Sequence, residues 1–213
     1  MLKLQAILGP SVKLRDIALT QLLSSWTGSV RKTIEPADLR SILVDIDTQS
    51  FLGESTLWVI RAGDNWIKQQ AEALAPLAGK ESEIGCIVLV AEKIDGRTPL
   101  AKALLGAQAV MQAVPPWSGL KWGEAAAACK MWIGEQLATH RGGTQQAMRC
   151  AEQLYNHCGE DADQLLAAIE SVSIFADEGP STSEAIEQVV VGQAERPAWE
   201  FSAAVLAGDA AKA

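Results

Sequence analysis

The sequence predicts an α/β domain built on a parallel, doubly wound sheet, followed by a small all-helical domain. Three observations carry that reading. Five short apolar runs alternate with amphipathic segments through the first half of the 213-residue chain, the pattern of parallel strands joined by crossover helices. Pro115-Pro116 then interrupts the pattern, because paired prolines continue neither a central strand nor a helix. Beyond Trp117 the periodicity is helical throughout. The expected modules are 1–117, 118–195 and, at 196–213, the start of a third, with a hinge near the proline pair.

Each element follows from its local pattern. Leu2–Leu8 reads as a strand ending at Gly9-Pro10. Leu19, Leu22, Leu23 and Trp26 fall at i, i+3, i+4 and i+7, one apolar stripe of a helix. Val30–Glu35 is short and β-leaning, and Pro36 suits the first position of a helix whose stripe is Leu39, Ile42, Leu43 and Ile46. Thr56–Ile60 is a compact strand closed by the Gly63-Asp64-Asn65 turn, with Asn65 as the cap of a helix that buries Ile67, Ala71 and Leu74. Ile84–Val90 is nearly all apolar, as a central strand covered on both faces should be. A short helix over Pro99–Leu105 leads into a last strand, Ala109–Val114.

The second half supplies helices only. Glu124–His140 is Ala-rich and stops at Gly142-Gly143, and Thr144–Cys158 stops at Gly159. Asp161–Phe175 carries Leu165, Ile169 and Val172 on one side. Ser181 and Glu184 form a capping box for the helix Glu184–Val191. Pro197–Ala213 begins one more amphipathic helix.

Hydrophobic residues make up 48% and charged residues 21%, ordinary proportions for a folded domain. No apolar run approaches the length of a membrane span. Met1–Gln5 lacks the basic start and apolar stretch of a signal peptide, so a soluble, cytoplasmic protein is expected. The net charge of −8 is uneven: residues 1–113 hold twelve basic and twelve acidic side chains, residues 114–213 six and fourteen. A chain that grips DNA unaided should present a basic face, and this composition argues against one. The block Glu160-Asp161-Ala162-Asp163 reads as a solvated helix start.

Known chemistries find little purchase. Cys86, Cys129, Cys150 and Cys158 show no CxxC spacing, and the histidines are His140 and His157. A zinc site wants four ligands at closer spacing, so the cysteines read as small buried hydrophobes, with no metal expected. A P-loop needs GxxxxGK[ST], whose backbone N–H groups curl around phosphate. Gly9-Pro10-Ser11-Val12-Lys13-Leu14-Arg15 offers one glycine, then a proline without an N–H. Lys13 and Arg15 read as solvated helix residues. An ATPase also wants a carboxylate at the end of its third strand to hold magnesium. That strand ends Ile60-Arg61-Ala62, and Glu92-Lys93 after the fourth reads as an ordinary surface pair. The seven tryptophans are spread singly and read as packing residues. No catalytic residue and no cofactor are expected.

Thr48–Gly53 before Leu57–Arg61, Val88–Val90 before Lys93–Arg97, and the segments Ile169–Phe175 and Thr182–Val191 together resemble the delta subunit of the bacterial DNA polymerase III clamp loader. Thr48-Gln49-Ser50-Phe51-Leu52-Gly53 running into Leu57-Trp58-Val59-Ile60-Arg61 is similar to that family's segment of a small polar residue, two bulky apolar residues and a small one before a strand. Val88-Leu89-Val90 through Lys93-Ile94-Asp95-Gly96-Arg97 resembles its apolar strand and following turn. Ile169–Phe175 resembles a helix of its lid, with Ser171 where lysine is usual, and Thr182–Val191 the helix after it. Trp199–Lys212, with Ala207-Gly208-Asp209, is similar to the opening of its collar domain.

The resemblance implies a P-loop-NTPase-like (AAA+) sheet without a working P-loop, then a helical lid and the start of a truncated collar. It implies a non-catalytic subunit of the polymerase holoenzyme that binds and opens the sliding clamp, the beta subunit. Other clamp-loader subunits are the further partners, with DNA reached only through the complex and no membrane. Ser50, Phe51 and Leu52 are the implied clamp-binding residues, Phe51 and Leu52 as a hydrophobic wedge. Read from spacing alone, either could instead cap the core. Two departures stand out. Residues 196–213 match only the opening of the collar, so a truncated collar is expected, and Asp47 replaces the glutamine expected five positions before Leu52. The alternative is an inactive AAA+-like scaffold or shortened paralogue with a different protein partner.

Overall fold

Strand order decides the architecture. The structure is a computed structural model that describes residues 1–48, 54–139, 144–175 and 186. The first unit, Met1–Pro115, runs β1 (Leu4–Leu8), α1 (Val12–Ser24), β2 (Ser29–Ile34), α2 (Leu39–Asp47), β3 (Thr56–Arg61), α3 (Asp64–Leu74), β4 (Gly85–Ala91), α4 (Pro99–Gly106) and β5 (Val110–Gln112). The five strands form one sheet in the order β2-β3-β4-β1-β5, each pairing parallel. That order differs from both common doubly wound arrangements, 3-2-1-4-5-6 and 2-1-3-4-5.

Right-handed crossovers dictate where the helices lie. The steps β2 to β3, β3 to β4 and β4 to β5 run one way across the sheet, which puts α2, α3 and α4 on one face. The step from β1 back to β2 runs the other way and puts α1 on the opposite face. Two cores result. Leu4, Ile60, Ile87 and Leu89 pack with Ile42 and Ile46 of α2, Ile67 and Leu74 of α3, and Leu100 and Leu104 of α4. Ile7, Leu57, Val59, Val88 and Val90 pack with Ala18, Leu19 and Leu22 of α1. Strand β4 alternates between the two and is buried along its whole length, as its apolar run requires.

Several helix starts differ from the sequence reading. Pro36 lies ahead of α2, which begins at Leu39 because the Asp38 carboxylate accepts the Ser41 N–H at 3.2 Å. Helix α3 starts at Asp64 with Gly63 as its cap residue, so Asn65 falls inside the helix. Trp26 lies past the end of α1, and its indole N–H donates to Ser29 O at 3.2 Å. The turn before α4 closes on Asp95, whose carboxylate accepts from Arg97 N, Nε and Nη2 at 2.9–3.1 Å. Thr98 then caps that helix through Ala101 N–H.

The second unit begins at Pro116 and contains α5 (Trp122–Thr139), α6 (Thr144–Cys158) and α7 (Ala162–Phe175). Its buried side chains include Ala125, Cys129, Ile133 and Leu137 of α5, Cys150 and Leu154 of α6, and Leu165, Ile169 and Val172 of α7. Trp117 is buried, stacks edge-on against Trp132 with 5.2 Å between ring centroids, and donates its N–H to Glu160 O. The acidic block is a cap: Asp161 Oδ1 accepts the N–H groups of Asp163 and Gln164 at 2.9 and 3.0 Å. Ile186 is helical and buried. The rest of the Glu184–Val191 helix and all of 196–213 lie outside the described residues.

Candidate functional site

Open α/β sheets bind ligands in the crevice beyond the carboxyl ends of their strands. Here that end holds a cleft of about 420 Å³, lined by Arg15, Glu35, Arg61, Asp64, Glu92 and Lys93 among others. Its charged groups are largely engaged with the protein itself. Arg61 pairs with Asp16 of α1, and Lys93 Nζ lies 3.9 Å from Asp64 Oδ2. Glu35 Oε1 accepts the Gly63 N–H at 2.8 Å, placing a carboxylate at the positive end of α3. Glu35 does so from the left-handed region, at φ +39°, directly before a proline. That backbone is costly for a non-glycine residue, and the Glu35 N–H to Arg61 O bond helps hold it there.

The loop after β1 is equally committed. Gly9 N–H donates to Ala91 O and Ala113 N–H to Leu8 O, so the loop is drawn against the chain leaving β5. A Cβ on Gly9 would lie 1.9 Å from Ala113 O, which gives this glycine a packing role. Arg15 is half-buried rather than solvated: its Nη1 donates to the carbonyls of Gly9 and Pro10. A phosphate needs N–H groups turned toward it; this loop turns two carbonyls toward a guanidinium. Glu92 and Lys93 are both exposed, as expected of a surface pair, and Lys93, just past β4, lies near Asp64 at the start of α3.

The amino end of the sheet is where the chain passes from α2 to β3. Ser50, Phe51 and Leu52 belong to that connection and lie outside the described residues, but both flanks are described. Asp45 Oδ2 accepts the Trp58 indole N–H at 2.6 Å and lies 3.3 Å from Arg31 Nη1. The Arg31 guanidinium sits 5.5 Å from the Trp58 ring centroid, a cation–π contact. Ile46 is buried against Gly85 of β4, and Asp47 pairs with Lys3. On the far side, Ser55 Oγ donates to Glu83 O at 2.6 Å and Thr56 N–H to Ile84 O at 2.9 Å. Nothing in helical or strand periodicity singles out Asp45 or Arg31.

Cys86, Cys129 and Cys150 are buried and Cys158 half-buried, and none of the four is in a disulfide. Burial pushes the Cys86 thiol up to about 11. Burial, with Glu160 and Cys158 nearby, pushes Cys129 up to about 12. Among the described residues no three His, Cys, Asp or Glu side chains gather as a metal-holding group. Among those residues no helix is long and apolar enough to cross a membrane.

No protein-family model matches the sequence, and no curated protein matches it. Among solved structures, the chain is similar to the Bacillus subtilis DNA clamp loader delta protein (YqeN), with a TM-score of 0.59 and 17% identity over 88% of this chain and 58% of that one. The Saccharomyces cerevisiae RIF2 structure gives a TM-score of 0.43 and 11% identity, over 89% of this chain and 82% of that one, too low to carry an argument. The class is thus a mixed α/β fold consistent with an AAA+-like sheet. The particular likeness is to a clamp-loader delta protein, of which this chain spans 58% of the length. At this identity it is a likeness of fold.

Proposed function

We propose that this protein is a non-hydrolysing, delta-type clamp-loader subunit that binds the sliding clamp and opens it during DNA replication. The observation that carries this reading is the shared fold with the Bacillus subtilis delta protein. The Ser50-Phe51-Leu52 string between α2 and β3 supports it, as does a β1–α1 loop that turns carbonyls rather than N–H groups to its Arg15 neighbour. In this reading the sheet and α1–α4 form the degenerate AAA+ module, and α5–α7 belong to the lid. Phe51 and Leu52 enter an apolar pocket of the clamp, and burial of two such side chains is worth roughly 1.5–3 kcal/mol each. Other loader subunits supply the nucleotide chemistry, and DNA is met only through the assembly.

The test is binding to the clamp of the same organism, by titration calorimetry, of the parent chain and the Phe51→Ala/Leu52→Ala double variant. Pocket anchors cost at least about 2 kcal/mol on truncation, more than tenfold in affinity. The expected result is measurable binding by the parent, loss in the variant, and unchanged circular dichroism. A parent chain that ignores the clamp overturns the reading. A double variant that binds equally well, or unfolds, overturns the wedge.

A further inference from the structure

Among the described residues, strand β2 pairs on one side only, with β3. Ser29 N–H donates to Ser55 O and Glu35 N–H to Arg61 O. In a parallel pair that parity turns the backbone groups of Ser29, Arg31 and Thr33 toward β3. The N–H and C=O groups of Val30, Lys32 and Ile34 therefore point the other way, out of the sheet edge. Side chains follow the same alternation. Val30, Lys32 and Ile34 are in register with Leu57, Val59 and Arg61, so they lie on the face that α1 covers further in. There Val30 is 40% and Ile34 75% exposed, with Lys32 exposed between them. Arg31, on the opposite face, is held by Asp45 and Trp58, whereas Lys32 has no ion pair among the described residues.

We propose that the outer edge of β2 is a docking site for an extended, acidic segment of a partner protein, which adds to the sheet as a further strand. The segment places a carboxylate opposite Lys32 and, at the alternate positions on either side of it, apolar residues beside Val30 and Ile34. Main-chain hydrogen bonds to Val30, Lys32 and Ile34 supply affinity, and the alternate side chains supply selectivity. Charge picks the occupant: an opposite charge directly across two strands is favourable and a like charge is not, and Lys32 is the cation at this edge with no carboxylate of its own. The two flanking apolar side chains gain cover only when a strand lies beside them. This surface is independent of the clamp reading, since no residue of 49–53 takes part.

The experiment uses the full chain and a fluorescent peptide in which valine, glutamate and valine alternate with threonine. Two controls accompany it, the same peptide with lysine for glutamate and the glutamate peptide N-methylated at alternate residues. Anisotropy should show the parent binding the glutamate peptide at least about tenfold more tightly than either control. Lys32→Glu should reverse the preference, losing about tenfold for the glutamate peptide and gaining for the lysine peptide, with a thermal midpoint close to the parent's. Amide exchange at Val30, Lys32 and Ile34 should be fast in the free chain and slow with peptide bound, while Arg31 and Thr33 are slow throughout. An N-methylated peptide that binds equally well, a Lys32→Glu chain that keeps the parent's preference, or a parent that binds none of the peptides overturns the proposal. Slow exchange at Val30, Lys32 and Ile34 without peptide overturns it too, because the edge is then already covered.

Discussion

Gly85 and Ile46 touch with no room for a side chain between them: a Cβ on Gly85 would lie 2.7 Å from Ile46 Cα and 2.8 Å from its carbonyl oxygen. Backbone, not a flexible tip, is what such an atom would meet. Gly85→Ala is therefore expected to push α2 off the sheet, at an overpacking cost of about 1–3 kcal/mol. Urea unfolding of the purified variant measures it. A midpoint equal to the parent's would mean that α2 yields freely.

Binding of Mg·ATP is expected to be undetectable. Gly9 and Pro10 present carbonyls already taken by Arg15, and β3 ends on an arginine paired with Asp16. Titration calorimetry with Mg·ATP should give no heat beyond dilution; micromolar affinity would contradict the geometry.

The Arg61–Asp16 pair should matter little for stability despite its close geometry. Its side chains are 38% and 48% exposed, so solvent screens the attraction, and a double-mutant cycle with Arg61→Ala and Asp16→Ala should give a coupling under about 1 kcal/mol. A larger coupling would mark the pair as structural.

Alkaline pH should destabilise the fold through its buried thiols. Their ordinary value is 9.0, while burial holds Cys86 near about 11 and Cys129 near about 12. Raised values in the folded state mean that the unfolded chain gives up these protons first. The contribution is thus complete below pH 9 and is lost as pH rises toward 11–12. Denaturation midpoints between pH 8 and 11 should fall, and Cys129→Ala should flatten the decline. A parent profile flat over that range would contradict the assignment.

The α/β half was legible because its signals are local. Ile84–Val90 announces a strand covered on both faces, and the stripe Leu39, Ile42, Ile46 announces α2. What escaped the sequence comes from residues far apart in the chain. Asn65 looked like the cap of α3, but the Glu35 carboxylate arrives from 28 residues away to take the Gly63 N–H. Arg15 looked like a surface residue, since periodicity carries no sign that a guanidinium folds back on its own loop. Of the candidate site, Phe51 and Leu52 are readable only through a resemblance of motif. The Asp45 tie is not readable at all, because it joins three segments whose spacing follows neither a helical nor a strand repeat.

Strand β2 ends the sheet on one side, and among the described residues no other strand covers its outer backbone row. An open row of N–H and C=O groups is a template onto which a further strand, from any chain, can add. Val30 and Ile34 are exposed there and would favour such growth, whereas Arg31 and Lys32 between them place two adjacent cations on the same strand. A second copy approaching side by side would bring those charges together and lose the water around them. Strand β5, at the other side, is three residues long and offers little to build on. The chain thus carries, in the composition of one strand and the brevity of another, its own resistance to growing into a larger sheet.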